Sequence, residues 1–352
     1  MNKRRPNRGA ILGVAHVLAL ALLLAACGSS APSTAEPTAA PAAAAPTAGP
    51  AAAPTAAPAA QPSGDKITIK LAENSWTGSS INVNVAKILL EEQLGYKVEI
   101  VTIDENAQWP ALSSGDLSAS LEVWPSGHAD NVKKYIDEQK VIENIGQLGV
   151  VGKISWYVPT YVVDQHPDLA TSEGFKKPEN AALFKTAETG DKGQFLAGDP
   201  AWVQYDEDII KNLGLDLQVV RAGSETAVLA AVDSAISRQE PILFYFWTPH
   251  SVHAKYKLTA VKLPDYSEAC YAKASSGGID CDYPEDVLFK IAWSGLKDKA
   301  PDAYQLLKNM KYTNDDQIAM IAGVDVDKKT AEQAARDWIS KNEAVWKAWL
   351  AK

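Results

Sequence analysis

The chain predicts an α/β protein of two lobes with a ligand cleft between them. Strand-like and helix-like segments alternate from Asp65 onward, a pattern that favours a mostly parallel sheet with helices on its faces. The folded part, about 285 residues, is large for one hydrophobic core, so two lobes are expected. Tryptophans also recur where strands give way to loops, and ligands sit beyond the carboxyl ends of strands in such sheets.

The elements follow in order. "DKITIKLAEN" alternates and then turns apolar before a polar turn, as a strand does. "SSINVNVAKILLEEQLGY" places Val85, Ile88 and Leu89 at helical spacing and stops at Gly95. "KVEIVTI" is the next strand, "AQWPALSSGD" a short helix ending at Gly115, and "LSASLEVW" a third strand. A second set comprises "SWYVPTYVVD", "QFLAGDPAW", helix "YDEDIIKNLG", strand "LQVVRA", helix "SETAVLAAVDSAISRQ" and strand "PILFYFW". The end of the chain reads as helical, beginning with "EDVLFKIAWSGLKDK" and closing with "DKKTAEQAARDWISKNEAVWKAWLAK". No internal repeat is evident.

Ahead of these elements, Lys3, Arg4, Arg5 and Arg8 precede an apolar run that ends in Leu24-Ala25-Ala26-Cys27. This is the pattern of a lipoprotein signal peptide, residues 1–26, with Cys27 as the acylated first mature residue. Residues 28–64 hold sixteen alanines and eight prolines, with Glu36 as the only charge. A proline every few residues blocks helix, so 27–64 is expected to be a tether with a reach on the order of 115 Å. The link to the bilayer is then the lipid alone, on the outer face of the cytoplasmic membrane.

The net charge is −9, and loss of the four leader cations makes it more negative still. Such a chain lacks the basic patches that nucleic acid or anionic membranes require. Apart from Cys27, only Cys270 and Cys281 remain. In an oxidising compartment, a pair enclosing a short loop reads as a disulfide.

Motifs for an enzyme are missing: there is no GxSxG elbow, phosphate loop, HExxH or CxxC, and no cofactor is implied. Tryptophan is the anomaly, with ten residues against six phenylalanines. Trp109, Trp293, Trp338, Trp346 and Trp349 are expected to pack within helices, and Trp156 within a strand. Trp76, Trp124, Trp202 and Trp247 instead stand in "AENSWTGSS", "EVWPSGH", "GDPAWVQYDED" and "FYFWTPHS". Large rings in several loops suggest a binding surface. Indole faces attract a quaternary ammonium, worth about 0.5–2 kcal/mol per ring when desolvated. A stacked sugar is the competing ligand.

These stretches, with "KILLEEQLGYKVE", "SGDLSASLEVWPSGH", "YVPTYVV…HPDL" and "PILFYFWTPH", resemble the substrate-binding proteins of glycine betaine and quaternary-amine ABC transporters, the ProX and OpuAC-like group. The resemblance covers roughly residues 66–350. It implies the type II periplasmic-binding-protein fold, with a first lobe from 66–164 and 262–352, a second from 165–261, and crossings at "YVVD" and "LTAVKLP". It implies that Trp124, Trp202 and Trp247 form a cage for the cation, and that His128 and the Val203 N–H hold a ligand carboxylate. His250 occupies a position that is often aromatic or histidine. Choline-binding relatives place a ring in the loop that holds Trp76 and an aspartate two residues later, where this chain has Gly78. That departure favours glycine betaine over choline unless Glu73, Asp199 or Asp206 substitutes. The implied partners are a small zwitterion or cation and a permease with a cytoplasmic ATPase, served by a monomer. Choline, carnitine or another betaine, or a sensor or carbohydrate-binding module of the same fold, are the alternatives.

Overall fold

The computed structural model describes residues 66–351. The leader, Cys27 and the tether lie outside the described residues. Among the described residues, alternating and apolar runs form nine strands: β1 (Ile69–Glu73), β2 (Val98–Thr102), β3 (Ala119–Val123), β4 (Ile142–Pro159), β5 (Gly193–Ala197), β6 (Leu217–Arg221), β7 (Phe244–Thr248), β8 (Leu258–Ala260) and β9 (Glu285–Trp293). They join in the order β2-β1-β3-β9-β4-β7-β5-β6, with β8 beside β4. Each end of the sheet is parallel, β1 with β2 and β3, and β5 with β6 and β7. The centre is antiparallel: β9 runs against β3 and β4, and β4 against β7 and β8. The sheet is therefore mixed rather than mostly parallel.

The largest departure from expectation is β9. "EDVLFKIAW" reads as helix, yet it is a nine-residue strand in which Leu288 to Ala292 are buried on both faces. A continuous apolar run carries no period with which to tell a buried strand from a buried helix. Trp293 accordingly ends a strand. The other expected packing rings, Trp109, Trp156, Trp338, Trp346 and Trp349, are all buried.

Two large cores flank the centre. One runs from Ile154 to Tyr283 and takes in Trp76; the other joins residues from Ile69 to Val150 with residues from Leu288 to Trp349. The passage between them lies inside β4. Up to Lys153 that strand pairs with β9, and from Lys153 onward with β7 and β8. The return comes between Tyr283 and β9. "YVVD" lies in the helix Thr160–Gln165, and "LTAVKLP" begins in β8 beside β4, so both belong to the second core. Crossing strands need length more than a special sequence, and the eighteen residues of β4 provide it.

Cys270 and Cys281 are bonded, with an S–S distance of 2.07 Å and a separation of 11 residues. By the chain-entropy account, closing a loop of this size contributes about 3 kcal/mol. Replacing both cysteines with alanine should lower the urea-unfolding free energy by about that amount. An unchanged midpoint would mean that the unfolded loop is already restricted without the bond.

Candidate ligand-binding site

Glycines decide where two of the four loop tryptophans lie. Gly152 in β4 forms a bed for Trp124: an added Cβ would stand 2.4 Å from the indole. Gly198, just after β5, does the same for Trp202 at 2.1 Å. No real Cβ tolerates such distances, so an alanine at either position must displace a ring. Trp76 immediately precedes the helix Thr77–Glu92, and Trp247 is carried by β7.

All four rings line one cavity, together with Glu105, Ser126, Gly127, Ile154, Val203, Tyr205, Tyr245 and Tyr283. Trp202 is central. Its ring meets Trp76 edge-on at 6.4 Å and Trp247 edge-on at 5.2 Å, and lies 6.1 Å from Tyr245. The Trp202 Nε1–H donates to Ser75 Oγ at 2.9 Å, and Ser75 Oγ–H donates to Asp199 at 2.9 Å. Phe246 stacks on Trp247 at 4.3 Å and backs it from outside the cavity.

The three tyrosines were not anticipated. One signal was available: Tyr245 and Trp247 are two residues apart on β7, so an inward Trp247 implies an inward Tyr245. Tyr283 Oη–H donates to Asp206 at 3.0 Å and accepts the Tyr205 N–H at 2.9 Å, which ties two walls together. Asp206 also accepts the Trp156 indole N–H at 2.6 Å, and burial pushes its carboxyl up to about 6 despite those hydrogen bonds.

His128 and Val203 converge, but on a protein group. The Glu105 carboxylate accepts from His128 Nε2–H at 3.1 Å and from the Val203 N–H. Asn131 donates to the other ring nitrogen at 3.3 Å, so the Nε2–H tautomer satisfies both partners. His128 is buried against Trp109, 5.6 Å ring to ring, and does not line the cavity itself. Glu105 does, as the one charged residue among those lining it. An intramolecular carboxylate thus occupies the two donors that the resemblance implies for a ligand carboxylate.

A second carboxylate lies behind the rings. Glu122 Oε1 accepts the indole N–H of Trp76 at 2.7 Å and of Trp124 at 3.1 Å. Glu73, Asp199 and Asp206 do not line the cavity. At Gly78, a Cβ would stand 3.0 Å from Glu122 Oε2, so the space beside that backbone is already filled by a carboxylate.

His250 lies outside the cavity, 5.6 Å from the Trp247 ring. Its Nε2–H faces Glu225 Oε1 at 2.8 Å and Asp325 Oδ2 at 3.2 Å. Burial opposes a charge on the ring, but the Asp325 and Glu225 carboxylates outweigh it and raise the pKa. Glu225 also accepts from the Thr77 N–H at 2.7 Å and the Thr77 hydroxyl at 3.0 Å. The cluster therefore bonds the second core to the start of the helix Thr77–Glu92 and the end of the helix Asn314–Asp325. Its ligand atoms are close enough for a metal ion. However, the Val252 N–H donates to His250 Nδ1 at 3.1 Å, which leaves the ring proton on Nε2 and no lone pair there for a metal.

No helix among the described residues is long and apolar enough to cross a membrane. The model of the family described as the substrate binding domain of ABC-type glycine betaine transport system matches residues 67–341. The trimethylamine N-oxide-binding protein of Pelagibacter ubique is 28% identical over 291 residues, which cover 80% of this chain and 90% of that protein. The crystal structure of lactococcal OpuAC with glycine betaine superposes with a TM-score of 0.62 at 21% identity, over 82% of this chain and 100% of that one. An ABC-transporter choline-binding protein in complex with choline gives 0.63 at 19% identity, over 80% and 91%. These superpositions agree with the type II periplasmic-binding-protein fold.

Proposed function

The chain belongs to the family of substrate-binding domains of ABC-type glycine betaine transport systems, and from that premise we propose that its own solute is a trimethylated amine without a carboxylate. The protein is not an enzyme. It binds betaine- or choline-type solutes outside the cytoplasm and works with an ABC permease. The finer reading concerns the end of the solute away from the methyl groups.

The position of Glu105 carries it. The cage walls suit a methylated cation, which cannot donate hydrogen bonds and is held by ring faces. At the polar end, Glu105 already fills the His128 and Val203 donors. A ligand carboxylate there would have to expel Glu105 and then remain near its charge, and like charges in a desolvated site repel strongly. A choline hydroxyl donates to Glu105 directly, and a trimethylated amine that carries no carboxylate leaves Glu105 on its two donors. The similarity to a trimethylamine N-oxide-binding protein supports the same reading. Glycine betaine is the second reading, favoured by the His128 and Val203 donors once Glu105 swings away.

The action is capture, closure and delivery. Solute bridging the two lobes favours the closed arrangement by differential affinity. Closure excludes water and strengthens both the ring–cation attraction and the contact to Glu105. We read acylated Cys27 and the tether as holding the domain near its permease.

Calorimetric titration with trimethylamine N-oxide, choline, carnitine and glycine betaine tests the proposal. One of the first two should bind at least about tenfold tighter than glycine betaine, a gap of about 1.4 kcal/mol. Glu105→Gln should narrow or invert that gap, because an amide no longer repels a carboxylate. Tightest binding of glycine betaine by the unaltered protein, unaffected by Glu105→Gln, would refute it.

A further inference from the structure

Glu122 is buried in β3, and all of its hydrogen-bond partners are neutral. Oε1 accepts from the Trp76 and Trp124 indoles; Oε2 accepts from Asn82 Nδ2 at 2.6 Å and Gln317 Nε2 at 3.0 Å. Four N–H donors converge on one carboxylate, two on each oxygen, and no Lys, Arg or His among the described residues pairs with it. A buried carboxylate without a counter-ion is unfavourable, so a fold built only for stability has little reason to keep one. Four donors are what an ionised carboxylate accommodates.

The placement suggests what the counter-ion is. The two indoles that donate to Glu122 both face the cavity, so the carboxylate stands one ring behind the space for the ligand's ammonium. We propose that Glu122 is a positioning and charge-supplying residue of the cage: it sets the orientation of Trp76 and Trp124 through their N–H groups, and its negative charge is neutralised by the bound cation. The proposal rests on the reading of the cavity as a methylated-ammonium site, and it goes beyond ring faces as the only attraction.

A consequence follows for protons. Burial pushes the Glu122 carboxyl up to about 7, against the lowering by the hydrogen bonds from Trp76, Trp124 and Gln317, and with Glu225 raising it further. A bound cation favours the ionised carboxylate, so by linkage a proton on Glu122 weakens cation binding. Affinity for a permanently charged ligand should therefore fall as the pH drops from 8 to 6. The groups that face Glu122 are Asn82 and Gln317, with Tyr312 and Glu225 beyond them. Glu105, with His128 bonded behind it, stands at the polar end of the cavity and needs its own control.

The test compares choline with 3,3-dimethylbutan-1-ol, the same shape with a carbon in place of the charged nitrogen. In Glu122→Gln, choline affinity should fall about tenfold while the neutral analogue changes by less than about twofold. The fall in choline affinity from pH 8 to pH 6 should vanish in Glu122→Gln and persist in Glu105→Gln. Equal losses for both ligands, or an unchanged pH profile, would overturn the charge role. If the unaltered protein binds no methylated ammonium, the reading of the cavity fails, which is a different outcome. Should Glu122→Gln fail to fold, the pH dependence of the unaltered protein and of Glu105→Gln decides: no fall in choline affinity toward pH 6, or a fall that disappears with Glu105, overturns the proposal.

Discussion

Trp202→Ala is expected to weaken binding of the methylated solute by about a hundredfold to a thousandfold. Trp202 is the ring through which the cage holds together, between Trp76 at 6.4 Å and Trp247 at 5.2 Å. Its removal loses one cation–π contact, worth about 2 kcal/mol when desolvated, and lets water into the cavity. The indole N–H bond to Ser75 goes as well, and with it one tie between the two cores. Calorimetry reads the affinity, and far-ultraviolet circular dichroism checks that the sheet persists. Trp202→Phe keeps a ring but loses the N–H, so it should lie between the two. A loss below about tenfold for Trp202→Ala would mean that the cation rests against other walls.

The tryptophans were legible because their chemistry is conspicuous in polar loops. The structure brings Trp76, Trp124, Trp202 and Trp247 to a single cavity. The two carboxylates were not legible. In a chain with 43 acidic residues, nothing local distinguishes Glu105 or Glu122 from a solvated side chain. What singles out Glu122 is long-range packing: its partners Trp76 and Gln317 are 46 and 195 residues away in sequence. His128 and Val203 were available only through resemblance. They do converge, but what they hold in this structure is Glu105. β9 failed for a different reason. A segment buried on both faces has no polar phase, so its identity is set by the strands on either side.

Lys290→Met should destabilise the fold by about 2–4 kcal/mol at pH 9. Lys290 lies in β9 among apolar residues and is fully buried. Its Nζ donates to the carbonyls of Leu307 and Lys308, both at 2.9 Å, and to that of Met310. These carbonyls belong to the end of the helix Pro301–Asn309, where backbone acceptors have no partner within the helix. Methionine matches the length of the stem but donates nothing, whereas the neutral amine at pH 9 still offers two N–H groups, so two buried carbonyls lose their partner.

A pH signature separates this from a simple packing loss. Burial, with a smaller push from Lys311, lowers the Lys290 pKa to about 7. Unfolded, the amine titrates near about 10.4. Below pH 7 both states carry the proton, and the folded state bears the penalty of a buried ammonium. Between the two pKa values the unfolded chain binds one more proton than the folded chain, so this group's contribution to stability rises with pH. Lys290→Met has no such rise. Its destabilisation relative to the unaltered protein should therefore be larger at pH 9 than at pH 6.5, measured by urea unfolding at both. Equal stability of the two proteins at pH 9 would mean that water reaches the helix end and replaces the amine. A penalty that does not change with pH would mean that the three carbonyls keep Lys290 protonated throughout.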